Sequence, residues 1–391
     1  MRVVHVITRL ILGGAQENTL LTVEGLHHRH GDEVTLIAGP AEGPEGDLFG
    51  RAGAAGLNVE VMPELIRAVR PTTDWSAYRA LRKAFRRLRP EVVHTHSSKA
   101  GIVGRAAAWD ERVPAVVHTI HGLPFGPSES PWKNRLYVGL ERWAARRCHA
   151  IVSVCDAMTE QALAAGVGLP EMYHTVYSGM DVEAFLNPPR SREDVRRELG
   201  LAADDVAFGT VARLFERKGH DDLIAVAPDV LKANPNVRFV FIGDGVLREK
   251  LIAETERRGV RHAFHFVGLV PPGRIPELLG AVDAVVHPSL REGLARVLPQ
   301  ALLVGRPVIS YDVDGAREVV LPTTGVLLPP RDLRGLTSAI LRLANDPSLR
   351  DAMGREGRRL FADRFRHETM TARLRSLYEM LLAGRAPDHQ V

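Results

Sequence analysis

The stretch Ala284-Val285-Val286-His287-Pro288-Ser289-Leu290-Arg291-Glu292-Gly293-Leu294-Ala295-Arg296-Val297-Leu298-Pro299-Gln300-Ala301-Leu302-Leu303-Val304-Gly305-Arg306-Pro307-Val308-Ile309-Ser310 changes periodicity twice. Ala284–His287 is a short, nearly continuous apolar run, the pattern of a parallel strand covered on both faces. Pro288-Ser289 closes it, and a loop carries Glu292-Gly293-Leu294. Val297–Leu303 then reads as a helix ended by Gly305. Pro299 would break a helix interior but is tolerated in a first turn, so Gln300 is placed in that turn as well. A second apolar run, Val308–Ser310, follows. Strand, helix and strand in this order form a βαβ unit, which implies a parallel sheet and an α/β fold.

The same alternation extends outward along the whole chain. Strands are predicted at Val3–Ile7, Val34–Ala38, Asn58–Met62, Val92–Thr95, Ala115–Thr119, Ile151–Val154 and His174–Tyr177 in the first half. In the second half they are predicted at Ala207–Val211, Val237–Ile242, His265–Val267, Ala284–His287 and Val308–Ser310. The chain has 391 residues, too many for one ordinary core, so two doubly wound domains are expected, facing each other across a cleft. The break is placed at Asn187-Pro188-Pro189, ahead of a helical stretch Ser191–Leu199, giving domains 1–187 and 188–365. A last helix, Thr369–Leu382, opens a third segment, 366–391, and the polar residues Ala386–Val391 are expected to be disordered.

Composition narrows the class. Apolar residues make up 45% of the chain and charged residues 25%, as in a soluble globular protein. The two cysteines, Cys148 and Cys155, suggest no disulfide framework and fit a reducing cytoplasm. The first residues read as a strand, without the longer apolar region and cleavage site of a signal peptide. No run approaches the ~20 apolar residues of a membrane span. The net charge of +4 is compatible with an anionic ligand or surface. Between Trp75 and Leu88, Trp75, Tyr78, Leu81, Phe85 and Leu88 recur at helical spacing, while Arg79, Arg82, Lys83, Arg86 and Arg87 fill the other faces. That helix has two readings, a solvated face or a patch for anionic lipid head groups. Nucleic acid is not expected, because no recognition motif accompanies the charge.

Four stretches carry candidate chemistry. Gly13-Gly14-Ala15-Gln16 follows the first strand, where glycine lets backbone amides approach a ligand, but its spacing is not that of a dinucleotide fingerprint. Arg213 and Lys218 share a loop between a strand and a helix starting near Asp221. Two cations there can grip a diphosphate, each charge-assisted bond contributing about 1.5–3 kcal/mol, or can form a surface ion-pair cluster with Glu216 and Asp221. Glu292 precedes a helix N-terminus that favours an anion, so its carboxylate suits neutral sugar hydroxyls better than phosphate; capping the helix is the alternative. His94 and His118 fall inside strands and read as core histidines, whereas His96 and His121 are placed beyond strand ends, on loops. No metal is expected, since no cysteine or acid stands at ligand spacing. Ser153 and Cys155 lack a nucleophile elbow, so a hydrolase triad finds no support.

Taken in order, these stretches resemble the retaining glycosyltransferases of family 4, which have the two-domain GT-B fold. The likeness runs from about Val3 to Phe365. It includes the Gly-Gly turn, His96-Ser97-Ser98-Lys99-Ala100-Gly101, His121-Gly122, Ser178-Gly179-Met180-Asp181 with Phe185, Arg213 with Lys218-Gly219, Gly243-Asp244-Gly245, Phe266-Val267-Gly268, Pro288-Ser289 with Glu292-Gly293, and Gly305-Arg306-Pro307-Val308-Ile309. The resemblance implies sugar transfer from a UDP- or GDP-linked donor to an acceptor hydroxyl, with retention and without a metal or other cofactor. It gives Arg213 and Lys218 to the diphosphate, Gly14 to the phosphates through its backbone, and Glu292 to the donor sugar. The backbone amides of Gly293, Leu294 and Ala295 would meet sugar or phosphate, and Val270 would read the nucleobase. His121 would stand near the reacting sugar, with His96 and Lys99 toward the acceptor. The acceptor class implied is a glycan or lipid-linked glycan of the cell surface, handled in the cytoplasm at the inner face of the membrane, and the last helix would return to the first domain. One position departs from the family pattern: the second acid of its paired-glutamate motif is Gln300 here, which keeps a carbonyl acceptor but no charge. A GT-B epimerase, a phosphorylase-type reaction and a non-catalytic nucleotide-sugar binding protein are the alternative readings.

Overall fold

The structure is a computed structural model and describes residues 1–41, 46–126 and 129–384. The residues expected to form a disordered tail, from Ala386 onward, lie outside the described residues.

The chain divides into two compact units, one formed by Met1–Met180 with the chain from Arg366, the other by Asp181–Phe365. The division falls ahead of the Asn187-Pro188-Pro189 stretch. Packing explains the offset. The short helix Val182–Leu186 buries Val182 and Phe185 and packs on the second unit's helices Ile275–Ala281 and Val297–Leu303. Pro188 lies against Gly280 of the same unit. The last helix, His367–Ala383, belongs to the first unit, where Met370, Leu374, Leu377 and Tyr378 join its core. Gly25 makes this possible: a side chain there would come within 2.6 Å of Thr371 Oγ1.

The first unit holds β1 (Arg2–Ile7), β2 (Glu33–Ala38), β3 (Asn58–Val61), β4 (Val92–His96), β5 (Ala115–Ile120), β6 (Ala150–Ser153) and β7 (Tyr173–Thr175). They form one sheet in the order β3-β2-β1-β4-β5-β6-β7, with every pairing parallel. The second unit holds β8 (Val206–Val211), β9 (Val237–Ile242), β10 (Phe264–Gly268), β11 (Ala284–His287), β12 (Val308–Tyr311) and β13 (Gly325–Leu328). These also form a wholly parallel sheet, ordered β10-β9-β8-β11-β12-β13. The strand order reverses at β1/β4 in one sheet and at β8/β11 in the other, which creates in each a switch point at the strands' carboxyl ends.

The apolar runs that predicted β8, β9, β11 and β12 are central strands, and their side chains fill the core, where Phe208, Phe239 and Phe241 join Phe264 of β10 in ring contact. Edge strands read less clearly. β3, β7 and β10 are partly exposed, so their residues are mixed in character. The thirteenth strand, β13, escapes the sequence reading: only Val326, Leu327 and Leu328 are apolar, and Pro329-Pro330 follows directly.

Candidate functional site

Two loops of the second unit leave the carboxyl ends of the adjacent strands β8 and β11. The first runs from Ala212 to Gly219 and feeds the helix His220–Ala233; the second runs from Pro288 to Arg296 and feeds the helix Val297–Leu303. They touch because Gly219, at φ +77°, has no side chain: a Cβ there would stand 2.0 Å from the Pro288 carbonyl oxygen. Leu290 N–H donates to the Arg217 carbonyl at 2.8 Å, and Ser289 Oγ donates to the same oxygen at 3.2 Å.

Side chains complete the junction. Lys218 Nζ lies 2.5 Å from Glu292 Oε1, and His287 Nε2 lies 3.1 Å from the same oxygen. Glu292 N–H donates to Asp314 Oδ2 at 2.7 Å, while Gly315 N–H donates to the Gly293 carbonyl at 3.0 Å, so a third loop is tied to the second. Burial pushes the Glu292 carboxyl upward, but the His287 hydrogen bond and the Lys218 charge outweigh it and hold the pKa at about 2. Lys218 therefore pairs with Glu292 rather than with Glu216 or Asp221. Glu292 does not cap the helix: Arg296 occupies the cap position, and no side-chain cap bond is made.

Arg213 sits on the first loop with its guanidinium 5.0 Å from the Phe215 ring centroid, and Phe215 is exposed. Beneath this loop lies Gly243, at φ +135°, where a Cβ would meet the Ala212 carbonyl oxygen at 2.2 Å. Leu214 N–H donates to the Asp244 carbonyl at 2.9 Å, and Leu247 N–H returns to the Leu214 carbonyl at 3.0 Å. Val270 follows the end of β10 and is half-buried. Gly293, Leu294 and Ala295 are buried. Gln300 N–H closes the first helical turn on the Arg296 carbonyl at 3.1 Å, as the placement of Pro299 predicts. The helix has only seven residues, so its dipole adds little to the cations nearby.

In the first unit the histidines form a chain that sequence order does not suggest. His5 Nδ1 lies 2.9 Å from His96 Nε2, and His96 Nδ1 lies 3.1 Å from His121 Nε2. His94 stacks on His96 at 4.4 Å between centroids, while its own nitrogens bond Tyr378 Oη at 2.5 Å and Thr119 Oγ1 at 2.6 Å. His118 Nδ1 is held by Thr95. His94 and His118 are core histidines, as their strand positions imply. The placement of His96 on a loop is corrected. It is the last residue of β4, 1% exposed, because the strand runs one residue further than its apolar run. With both ring nitrogens bonded, it offers no atom to an acceptor. His121 lies just past β5 and is half-buried.

Burial keeps these imidazoles neutral: it lowers His5 to about 3, and it lowers His94, His96 and His118 well below their ordinary value, with neighbouring rings adding to the effect in His94 and His96. His5, His94 and His96 present ligand atoms within 4.8 Å of one another. They do not fit a cation as arranged. Both nitrogens of His94 and of His96 are already bonded, so each would have to give up a partner to take a metal.

The description "Glycosyl transferases group 1" fits residues 191–360, and "Glycosyl transferase 4-like domain" fits residues 13–179. The chain belongs to the group 1 glycosyltransferases of the family 4 type. It is 27% identical over 97% of its length to an Escherichia coli UDP-Gal:alpha-D-GlcNAc-diphosphoundecaprenol alpha-1,3-galactosyltransferase, covering 96% of that protein. It is 29% identical over 75% of its length to the Streptomyces fradiae 2-deoxystreptamine N-acetyl-D-glucosaminyltransferase, of which it covers 68%. Among solved structures, Anabaena HepE with UDP and glucose superposes with a TM-score of 0.80 at 22% identity, covering 97% of this chain and 100% of that one. The Thermosynechococcus elongatus sucrose-phosphate synthase gives 0.82 at 20% identity, over 98% and 100%. The two parallel α/β units are those of a GT-B enzyme.

Two further regions of this glycosyltransferase differ from a plain sequence reading. Lys99 does not project freely: it donates to the Ala68 carbonyl and pairs with Asp74. Beside that contact, Arg9, Ile66, Arg67, Ala68 and Arg70 line an open cavity of about 530 Å³. Arg9 comes from the loop after β1 and Arg67 and Arg70 from the loop after β3, so sequence order does not join them. In the helix Pro71–Leu88, Arg82 and Arg86 are paired with Glu111 and Arg87 with Glu60, so much of its charge is answered by neighbouring acids. That supports the solvated-face reading of this helix. Among the described residues no helix is long and apolar enough to cross a membrane.

Proposed function

We propose that the transferase moves a hexose from a UDP- or GDP-linked donor to an acceptor hydroxyl with retention of configuration. One observation carries this reading: the Lys218–Glu292 contact joins a cationic loop to the loop that carries Glu292, at the switch point of the second sheet. Arg213 and Lys218 bind the diphosphate, and Lys218 moves from the Glu292 carboxylate to phosphate when the donor enters. Glu292 is then released to accept hydrogen bonds from donor hydroxyls. Gly293, Leu294 and Ala295 offer backbone amides, Val270 meets the base, and Gln300 accepts from the ribose. The family resemblance gives Gly14 to the phosphates and His121 to the reacting sugar.

In the transfer step the bond from the anomeric carbon to the diphosphate oxygen breaks. The acceptor oxygen bonds that carbon on the same face, and its proton passes to the departing phosphate. Arg213 and Lys218 stabilise the growing negative charge, the role a divalent metal plays elsewhere. In this reading Glu292 bonds donor hydroxyls rather than the anomeric carbon, so the step is a front-face attack and not a double displacement.

The Escherichia coli relative acts, by its name, on a diphosphoundecaprenol-linked sugar. A lipid-linked glycan is therefore the acceptor class proposed, in cell-surface glycan synthesis, with the arginine-lined cavity of Arg9, Arg67 and Arg70 taking its phosphates. Incubation with UDP- and GDP-hexoses and bacterial lipid extract, followed by NMR of the product's anomeric proton, tests the reading. An inverted product or hydrolysis alone refutes it, as does transfer that stops when EDTA is added.

A further inference from the structure

The helix Pro131–Ala145 carries an apolar stripe on its outside. Trp132, Leu136, Leu140 and Trp143 are 65%, 50%, 36% and 41% exposed. Their spacing of four, four and three residues puts them on one helical face. Gly139 lies on the same side, and a Cβ there would meet nothing within 4 Å. The opposite face holds the helix to its unit, where Glu141, Ala144 and Ala145 are buried and Glu141 bonds Arg105 at 2.7 Å. The stripe is therefore not a core face displaced outward.

Charge flanks the stripe on both sides. Lys133, Arg135, Arg142 and Arg146 are exposed, and Arg147 is half-buried. Lys133 lies over the Trp132 ring at 5.7 Å and Arg147 over the Trp143 ring at 4.0 Å, so two cations hold the indoles outward. The one acid of the helix, Glu141, faces inward. In contrast to the helix Pro71–Leu88, whose arginines meet Glu111 and Glu60, none of Lys133, Arg135, Arg142, Arg146 and Arg147 pairs with a carboxylate among the described residues; Arg142 donates to the Ala165 carbonyl instead. Indoles flanked by unanswered cations are what an anionic lipid–water interface accommodates: the rings settle at the head-group level and the cations meet lipid phosphates.

We propose that the exposed face of the helix Pro131–Ala145 docks this transferase on an anionic lipid bilayer, with Trp132, Leu136, Leu140 and Trp143 entering the head-group boundary. The proposal rests on the first unit's surface alone. Its failure would leave the donor chemistry intact, and an inactive donor site would leave it standing.

The full chain is mixed with vesicles of phosphatidylcholine, with or without phosphatidylglycerol, and sedimented. Binding is expected only with phosphatidylglycerol, falling steeply as salt rises. Trp132→Ser with Trp143→Ser, and separately Lys133→Glu with Arg135→Glu, should each weaken it about tenfold or more, with unchanged circular dichroism. Arg79→Glu with Lys83→Glu, on the other basic helix, should bind like the parent. Quenching of the parent's tryptophan fluorescence by bromine-labelled lipid reads insertion without any variant. Absence of parent binding, or full binding by the double tryptophan variant, overturns the proposal. So does a parent dimer that the tryptophan pair dissolves, which would make the stripe a contact between copies.

Discussion

Nζ of Lys218 stands 2.5 Å from Oε1 of Glu292, although 73 residues of chain separate them (292 − 218 − 1). This contact joins the two loops proposed to hold opposite ends of the donor. Together with the His287 hydrogen bond, which acts more strongly, it holds Glu292 at a folded pKa of about 2, below the ordinary 4.5. These two contacts therefore contribute stability that is fully present above about pH 4.5 and is lost as pH falls toward 2. Linkage puts their ceiling at about 3 kcal/mol. Glu292→Gln should lower stability in urea unfolding at pH 7, and the gap from the parent should close as pH drops through 4. A gap that stays constant with pH would show that the carboxylate charge is not the stabilising element.

Arg213 rests on Phe215 at the exposed lip of its loop, so removing its side chain leaves the core untouched. Arg213→Ala should reduce kcat by about 10²–10³, the usual loss of one preorganised cation at a leaving group, with a melting temperature close to the parent's. Steady-state kinetics with the cognate donor checks this. A variant within threefold of the parent would remove Arg213 from the diphosphate.

Gln300 is the position at which this chain leaves its family's pattern. A ribose hydroxyl donates more strongly to a carboxylate than to an amide oxygen, by about 1.4 kcal/mol. Gln300→Glu should tighten UDP or GDP binding about tenfold, measured by calorimetry. Unchanged or weaker binding would mean that the Gln300 side chain does not meet the ribose.

The chain His5–His96–His121 has a direction that the buried end decides. His5 Nε2 is buried without a partner among the described residues. A bare acceptor is tolerated there better than an orphan N–H. His5 then donates from Nδ1 to His96, and His96 donates from Nδ1 to Nε2 of His121, leaving neutral His121 protonated on Nδ1. Nitrogen-15 NMR of labelled imidazoles should report that tautomer in the parent and a mixture in His5→Phe, whose kcat should fall more than its KM changes. A single Nε2–H tautomer in the parent would reverse the direction of the chain.

The same burial makes the first unit sensitive to acid. His5, His94, His96 and His118 resist protonation in the fold yet bind protons freely when unfolded. Their contribution is complete above pH 6.5 and is lost as pH falls below it, at up to ~1.4 kcal/mol per pH unit for each group. All four tryptophans (Trp75, Trp109, Trp132 and Trp143) lie in the first unit, so their fluorescence isolates its unfolding. Urea midpoints from that signal should drop steeply between pH 6.5 and 5. A flat profile would mean that water reaches the cluster.

Periodicity alone was enough to fix the class of this protein. Central strands such as β9 and β11 must be apolar on both faces, and the turn residues Pro288, Pro299 and Gly305 can serve only particular backbone positions, so their elements were legible with their ends. Edge strands were less so, because half of each faces water and the pattern is diluted. Local order also placed Arg213, Lys218, Glu292 and Gln300 at strand-to-helix junctions. It could not say what they touch. Lys218 meets Glu292, His5 meets His96, Tyr378 reaches His94, and Arg9 shares a cavity with Arg67 and Arg70 only because the fold brings distant segments side by side. The exposed stripe on Pro131–Ala145 was hidden for the same reason. A run of tryptophans and leucines at helical spacing looks like a core face until the fold shows that Glu141 and the alanines, not the indoles, turn inward.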